Sequence, residues 1–139
     1  MQITEEVSAI LKSYVYIYID PRTNEPFYIG KGKGNRLFAH LDDPSDTEKV
    51  NRIKEIRKNR LEPRIDIIRY GLSDSEAALV EAALIDYIGI DKLTNVYRGH
   101  HKRSFGRMTS RDIINMSKTK RVEVRHKAIL FTITERYRS

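Results

Sequence analysis

Apolar and polar positions alternate most regularly in residues 14–20, YVYIYID. Strand side chains point to opposite faces in turn, so Val15, Ile17 and Ile19 share one face and Tyr14, Tyr16 and Tyr18 the other. PRTNEP at 21–26 reads as a turn, and residues 27–30 as an antiparallel return. Gly30, Gly32 and Gly34 then alternate with Lys31 and Lys33, which predicts a loop of permissive backbone. Asn35 is the predicted cap of a short helix over 35–41. Ser45 and Glu48 form a capping-box pattern opening a helix to about residue 59, with Val50, Ile53 and Ile56 as its apolar stripe. Pro63 blocks further helix, and residues 64–70 alternate as a third strand. Ser73 and Glu76 form a second capping box, opening a helix to about residue 88 that Gly89 ends. Residues 1–12 predict a short helix and 92–95 a connector. The elements sum to a small α+β fold: a three-stranded antiparallel sheet flanked by helices.

Charge divides the chain in two. Of 26 Lys+Arg and 19 Asp+Glu, residues 1–97 carry 14 and 16, and residues 98–139 carry 12 and 3. The balanced front is an ordinary globular surface, whereas the basic back implies a polyanionic partner, nucleic acid first. Within it, 98–107 reads as a loop, 109–118 as a helical turn or two, and 121–137 as strand or helix. The apolar cluster over 128–133 argues against plain disorder.

With 40% hydrophobic residues a compact core is affordable, and with no cysteine neither a disulfide framework nor a thiolate metal site can form. No apolar run approaches the ~18 residues of a membrane span, and no export signal opens the chain. A cytoplasmic protein is expected, nuclear if the source is eukaryotic, with no membrane partner.

The third helix holds a carboxylate in an unexpected place. Glu81 has Ala77 and Ala78 one turn before it and Leu84 and Ile85 one turn after, so it falls within the apolar stripe. Such a group needs a cation, a donor or a metal. One reading is an ion pair with an arginine; the other is a ligand for a hard divalent ion, Mg²⁺ or Mn²⁺. Arg36 and His40, four residues apart, would share a helix face that reaches the space of Lys31 and Tyr28. Converging Arg, Lys, His, Tyr and Glu suit a phosphodiester: cations neutralise phosphate oxygens, and a phenol or imidazole handles a proton. A nucleotide phosphate loop does not fit GKGKG, since G-x-x-x-x-G-K-[ST] is absent and residue 37 is Leu where G-x-G-x-x-G needs glycine. His100 and His101 are adjacent and point different ways, so they belong with the basic loop.

These residues resemble the GIY-YIG nuclease family. Tyr14-Val15-Tyr16 stands at the first motif, with Tyr14 where the family usually has glycine. Tyr28-Ile29-Gly30 is the second, with eleven residues between them. Arg36, His40, Glu81 and Asn95 follow in order, and the wording YIGKGKGNR…H is most similar to the branch of animal nucleases with LEM and ankyrin domains and their bacterial relatives. The resemblance covers residues 14 to about 97. It implies a catalytic domain over 1–97, with 98–139 a basic extension, and DNA cleavage with one metal ion to 5′-phosphate and 3′-hydroxyl ends. It makes Tyr16 the general base, Tyr28 a positioner of water or phosphate, Arg36 the phosphate brace and Glu81 the metal ligand, with His40 and Asn95 in support. An ordinary phenol, with a pKa of about 10, needs a nearby cation to act as a base at neutral pH, and Lys31, before Lys33, is the candidate. Tyr18 reads as amphipathic packing. Lys33, Arg98, His100, His101, Lys102, Arg103 and Arg107 are the expected DNA contacts, with duplex, branched and single-stranded substrates all open. The rival is a binding module that kept the fold without the chemistry; a purely structural role comes third.

Overall fold

The computed structural model describes residues 1–96 and 106–124. Helix α1 (Glu5–Leu11) leads into strand β1 (Ser13–Asp20), which turns into β2 (Glu25–Gly32). A 3-10 helix (Gly34–Asp42), α2 (Glu48–Lys58), β3 (Arg64–Leu72) and α3 (Asp74–Ile88) follow. A 3-10 turn (Ile90–Lys92) and α4 (Ser110–Val124) complete the described chain. The sheet is antiparallel throughout, in the order β2-β1-β3. The expected α+β class, strands and helices are therefore present.

Central β1 is buried along its whole length, and its alternation feeds two separate cores. Tyr14, Tyr16 and Tyr18 pack with Leu37 and Leu41 of the 3-10 helix and Ile53 and Ile56 of α2. Val15, Ile17 and Ile19 pack with Ile29, with Ala77 and Ile85 of α3, and with Leu93. Tyr18 pairs with Tyr28 and Ile19 with Pro26, so Phe27 is an extra residue in a bulge. The bulge breaks the alternation and puts both Phe27 and Tyr28 on the tyrosine side.

Three local expectations are corrected. The glycine run is not all loop: β2 continues to Gly32, and of the three glycines only Gly34 has a positive φ, 55°. Asn35 does not cap the following helix; its Oδ1 accepts from the Ile3 amide at 2.8 Å, tying the N-terminus down. The cap of α2 is Thr47, which accepts from the Val50 amide at 3.3 Å, and not Ser45. The second capping box, Ser73 with Glu76, forms reciprocally. The helix expected near 109–118 is α4, while the 128–133 cluster lies outside the described residues.

Candidate active site at the edge of the sheet

Strand β2 has a free edge, and the chain after α3 runs along it. Thr94 donates to the Phe27 carbonyl from both its amide (2.7 Å) and its hydroxyl (2.9 Å). Asn95 acts as a surrogate strand residue: its Nδ2 donates to the Ile29 carbonyl at 2.8 Å and its Oδ1 accepts from the Ile29 amide at 3.1 Å. Between this segment, β2, the 3-10 helix, α2 and α3 opens a cleft of about 350 Å³. It is lined by Tyr16, Tyr28, Lys31, Arg36, His40, Glu81 and Asn95, together with Thr47, Lys49, Ile85, Thr94 and Val96.

Tyr16 belongs to the central strand and reaches this edge because Gly30, its cross-strand partner, has no side chain. A Cβ on Gly30 would lie 2.5 Å from both Cζ and Oη of Tyr16. Gly32 does the same for Arg36, whose aliphatic stem occupies the place of a Gly32 Cβ. Gly30 and Gly32 thus serve close approach. Tyr16 is 1% exposed, and its ring stands 6.2 Å from that of Tyr28. Burial, and then the neighbouring phenols of Tyr28 and Tyr18, push its pKa far above the ordinary tyrosine value, while Arg36 pulls it back. In the protein alone Tyr16 is a neutral phenol, and the cation that opposes this is Arg36 rather than the expected Lys31.

Arg36 and His40 do not share a face. In a 3-10 helix residues three apart eclipse, so His40 aligns with Leu37 and is buried while Arg36 is exposed. Both still line the cleft. The His40 ring lies 5.0 Å from that of Tyr28, edge to face. Burial, then the charges of Lys49 and Arg36, lower its pKa to about 4. Lys49 Nζ stands 3.4 Å from His40 Nε2. An ammonium can only donate, so Nε2 accepts and the ring proton sits on Nδ1, facing the Asp43 carboxylate at 3.9 Å.

Lys49 was not among the expected site residues. Its ammonium also lies 4.3 Å above the Tyr28 ring. The signal was present: Lys49 precedes Ile53 by four residues, so it flanks the buried stripe of α2 and cannot be wholly in water.

Glu81 lies one turn from both Ala77 and Ile85, as its spacing predicts, yet it is half-buried and opens into the cleft. Burial raises its pKa, and Lys31 opposes the shift. Among the described residues no ion pair or hydrogen bond reaches its carboxylate, so the arginine-pair reading finds no partner there. One carboxylate, with no cluster of three metal-ligating side chains among the described residues, fits a hard cation that keeps much of its own water shell.

Other expected residues fall elsewhere. Tyr14 and Tyr18 do not line the cleft. Lys33 pairs with Asp74 at 3.2 Å, beside the start of α3. Arg107 stacks on Tyr87 at 5.5 Å and donates to the Tyr87 carbonyl at 3.3 Å. Arg98, His100, His101, Lys102 and Arg103 lie outside the described residues. Among the described residues no helix is long and apolar enough to cross a membrane.

No curated protein and no solved structure matches this sequence. The sequence profile of the LEM-3-like GIY-YIG domain matches residues 13–120, a span that includes the whole sheet, the cleft and most of α4. With most of its length inside that match, the chain belongs to the LEM-3-like GIY-YIG family.

Proposed function

We propose that this protein is a DNA endonuclease that hydrolyses phosphodiesters with one divalent cation, Mg²⁺ or Mn²⁺, held by Glu81. The reading rests on one observation: a half-buried carboxylate, unpaired among the described residues, opens into the same cleft as Tyr16, Tyr28 and Arg36. Pure nucleic-acid binding has no use for a desolvated acid beside a phosphate site.

Water attacks the phosphorus, the bond to the 3′ oxygen breaks, the leaving oxygen takes a proton from solvent water, and the products are a 3′-hydroxyl and a 5′-phosphate. Arg36 braces the scissile phosphate and Lys31 adds positive charge. Tyr16 takes the proton of the attacking water, which requires its phenolate, and the Arg36 guanidinium favours that form. When bound, the cation supplies further positive charge that favours the phenolate and offsets charge developing on the phosphate. Tyr28 orients the water or phosphate from across the cleft. Neutral His40 supports the phenols, and Asn95 fixes the β2 edge on which Tyr28 and Lys31 sit. Residues 1–97 carry the chemistry. The basic extension, with Arg98, His100, His101, Lys102, Arg103 and Arg107, contacts DNA phosphates.

The test is nicking of supercoiled and branched DNA by Glu81→Ala and Tyr16→Phe. Each loses at least about a hundredfold in Mg²⁺-dependent turnover, while DNA affinity in chelator stays within about twofold, since neither removes a cation. Unchanged turnover in Glu81→Ala would leave the binding module as the surviving reading.

A further inference from the structure

The 3-10 helix carrying Arg36 and His40 is nine residues long. Runs beyond three or four residues are uncommon, because 3-10 hydrogen bonds are poorly aligned. Something outside the helix holds it in this form, and two buried hydroxyls stand at the right places.

The Tyr14 hydroxyl donates to the Gly34 carbonyl at 2.6 Å and accepts from the Leu37 amide at 3.0 Å. Gly34 and Leu37 are three residues apart, the pair that the helix bonds directly in its own pattern. The Tyr18 hydroxyl donates to the Leu37 carbonyl at 2.6 Å, and the His40 amide lies near enough to the same phenol to favour its ionised form. Leu37 and His40 are the next such pair. One phenol thus bridges the first turn and the second anchors the next, and both polar groups of Leu37 end on them.

The repeats explain the fit. Tyr14 and Tyr18 are four residues apart on β1, with Tyr16 between them on the same face. Rising about 3.3 Å per residue, the strand separates their backbones by about 13 Å, and the rings converge on turns only about 6 Å apart. An α-helix would shorten that turn spacing to about 4.5 Å and shift the donors to a four-residue pattern. Core packing alone does not call for these hydroxyls: Phe27, in the same cluster, is buried without one. Burying a phenol oxygen is costly unless it is paired.

We propose that Tyr14 and Tyr18 are positioning residues whose hydroxyls clamp the 3-10 helix, fixing Arg36 and His40 in relation to Tyr16. The catalytic half of this inference rests on the nuclease reading above; the clamp itself does not. Neither phenol lines the cleft, so each positions the cleft residues through the helix it holds; the direct effect of their oxygens on Tyr16 runs the other way, since it opposes the Tyr16 phenolate and its removal would not slow the reaction.

The variants Tyr14→Phe and Tyr18→Phe each remove one oxygen and keep the ring. Two measurements follow: amide hydrogen exchange of the metal-free protein by NMR, and Mg²⁺-dependent nicking with kcat and KM separated. The Leu37 amide loses about tenfold in protection in Tyr14→Phe and the His40 amide about tenfold in Tyr18→Phe, while amides of α3 keep theirs. In both, kcat falls about tenfold with KM within about twofold. Unchanged protection at Leu37 and His40 overturns the clamp, and so does a loss spread evenly over α3, which would mark mere global destabilisation. Lost protection with wild-type kcat overturns the positioning role. A wild-type protein that nicks no DNA defeats the nuclease reading, while the exchange data still decide the clamp.

Discussion

His40 shows how much one side chain can be constrained by its surroundings. It is enclosed by Tyr18 and Tyr28 from the sheet, Lys49 from α2, and Arg36 and Asp43 from its own segment. Among the described residues the charges that act on it are two cations and one carboxylate, so protonation is opposed by burial and repulsion together and favoured by Asp43. The consequence for stability has a definite sign. The unfolded chain binds a proton at this histidine below about pH 6.5, whereas the folded protein refuses it down to about pH 4. Across that window the unfolded state binds more protons, so stability is full above it and falls as pH drops, by up to roughly 3 kcal/mol. Urea titrations at pH 7 and pH 4.5 check this, with His40→Phe as the comparison in which that part of the slope is missing. Lys49→Met should raise the His40 pKa, read by NMR, because it removes the nearest cation; an unmoved value would rule out Lys49 as the source of the repulsion.

Elements were legible where local pattern alone sets them. The Val50, Ile53, Ile56 stripe and the alternation of β1 could be read directly, since burial of those residues requires only a helix or a strand against a core. The helix carrying Arg36 was not legible as 3-10, because its repeat comes from phenols on a different element and no sequence window contains both partners. Its face assignment failed with it, since a spacing of four means a shared side only in an α-helix. The cap of α2 failed for a smaller reason: Ser45 and Thr47 are both good caps in sequence, and only the backbone path selects between them. That choice can be measured. Thr47→Ala costs about 1 kcal/mol in chemical denaturation, and Ser45→Ala stays within about 0.5 kcal/mol. Equal losses, or the reverse order, would return the cap to Ser45.

At the scale of the whole molecule, the site exists because two cores lie on opposite faces of one thin sheet. Tyr16 belongs to the tyrosine side and Glu81 to a helix on the aliphatic side; they meet only because β2 is an edge strand whose glycine lets a phenol cross it. Sequence order placed each residue on its element but not the route around that edge, nor Lys49, which comes from a helix with no motif of its own. The same separation organises charge. The front of the chain is nearly neutral and concentrates Lys31, Arg36 and Lys49 at the cleft, whereas the last part carries the surplus of basic residues. Cleavage chemistry and DNA affinity should therefore come apart. Each phosphate contact made by a cation contributes about −0.9 to the slope of log K against log salt. Changing Arg98, Lys102 and Arg103 together to Gln should make that slope shallower by about 2.7 if all three meet phosphates. Single-turnover nicking at saturating protein should stay within about twofold of wild type, because none of them is needed to activate the water. Anisotropy titrations over a range of salt, run beside those nicking assays, test both halves. An unchanged slope removes the extension from the interface, and a collapse of the single-turnover rate places it inside the active site.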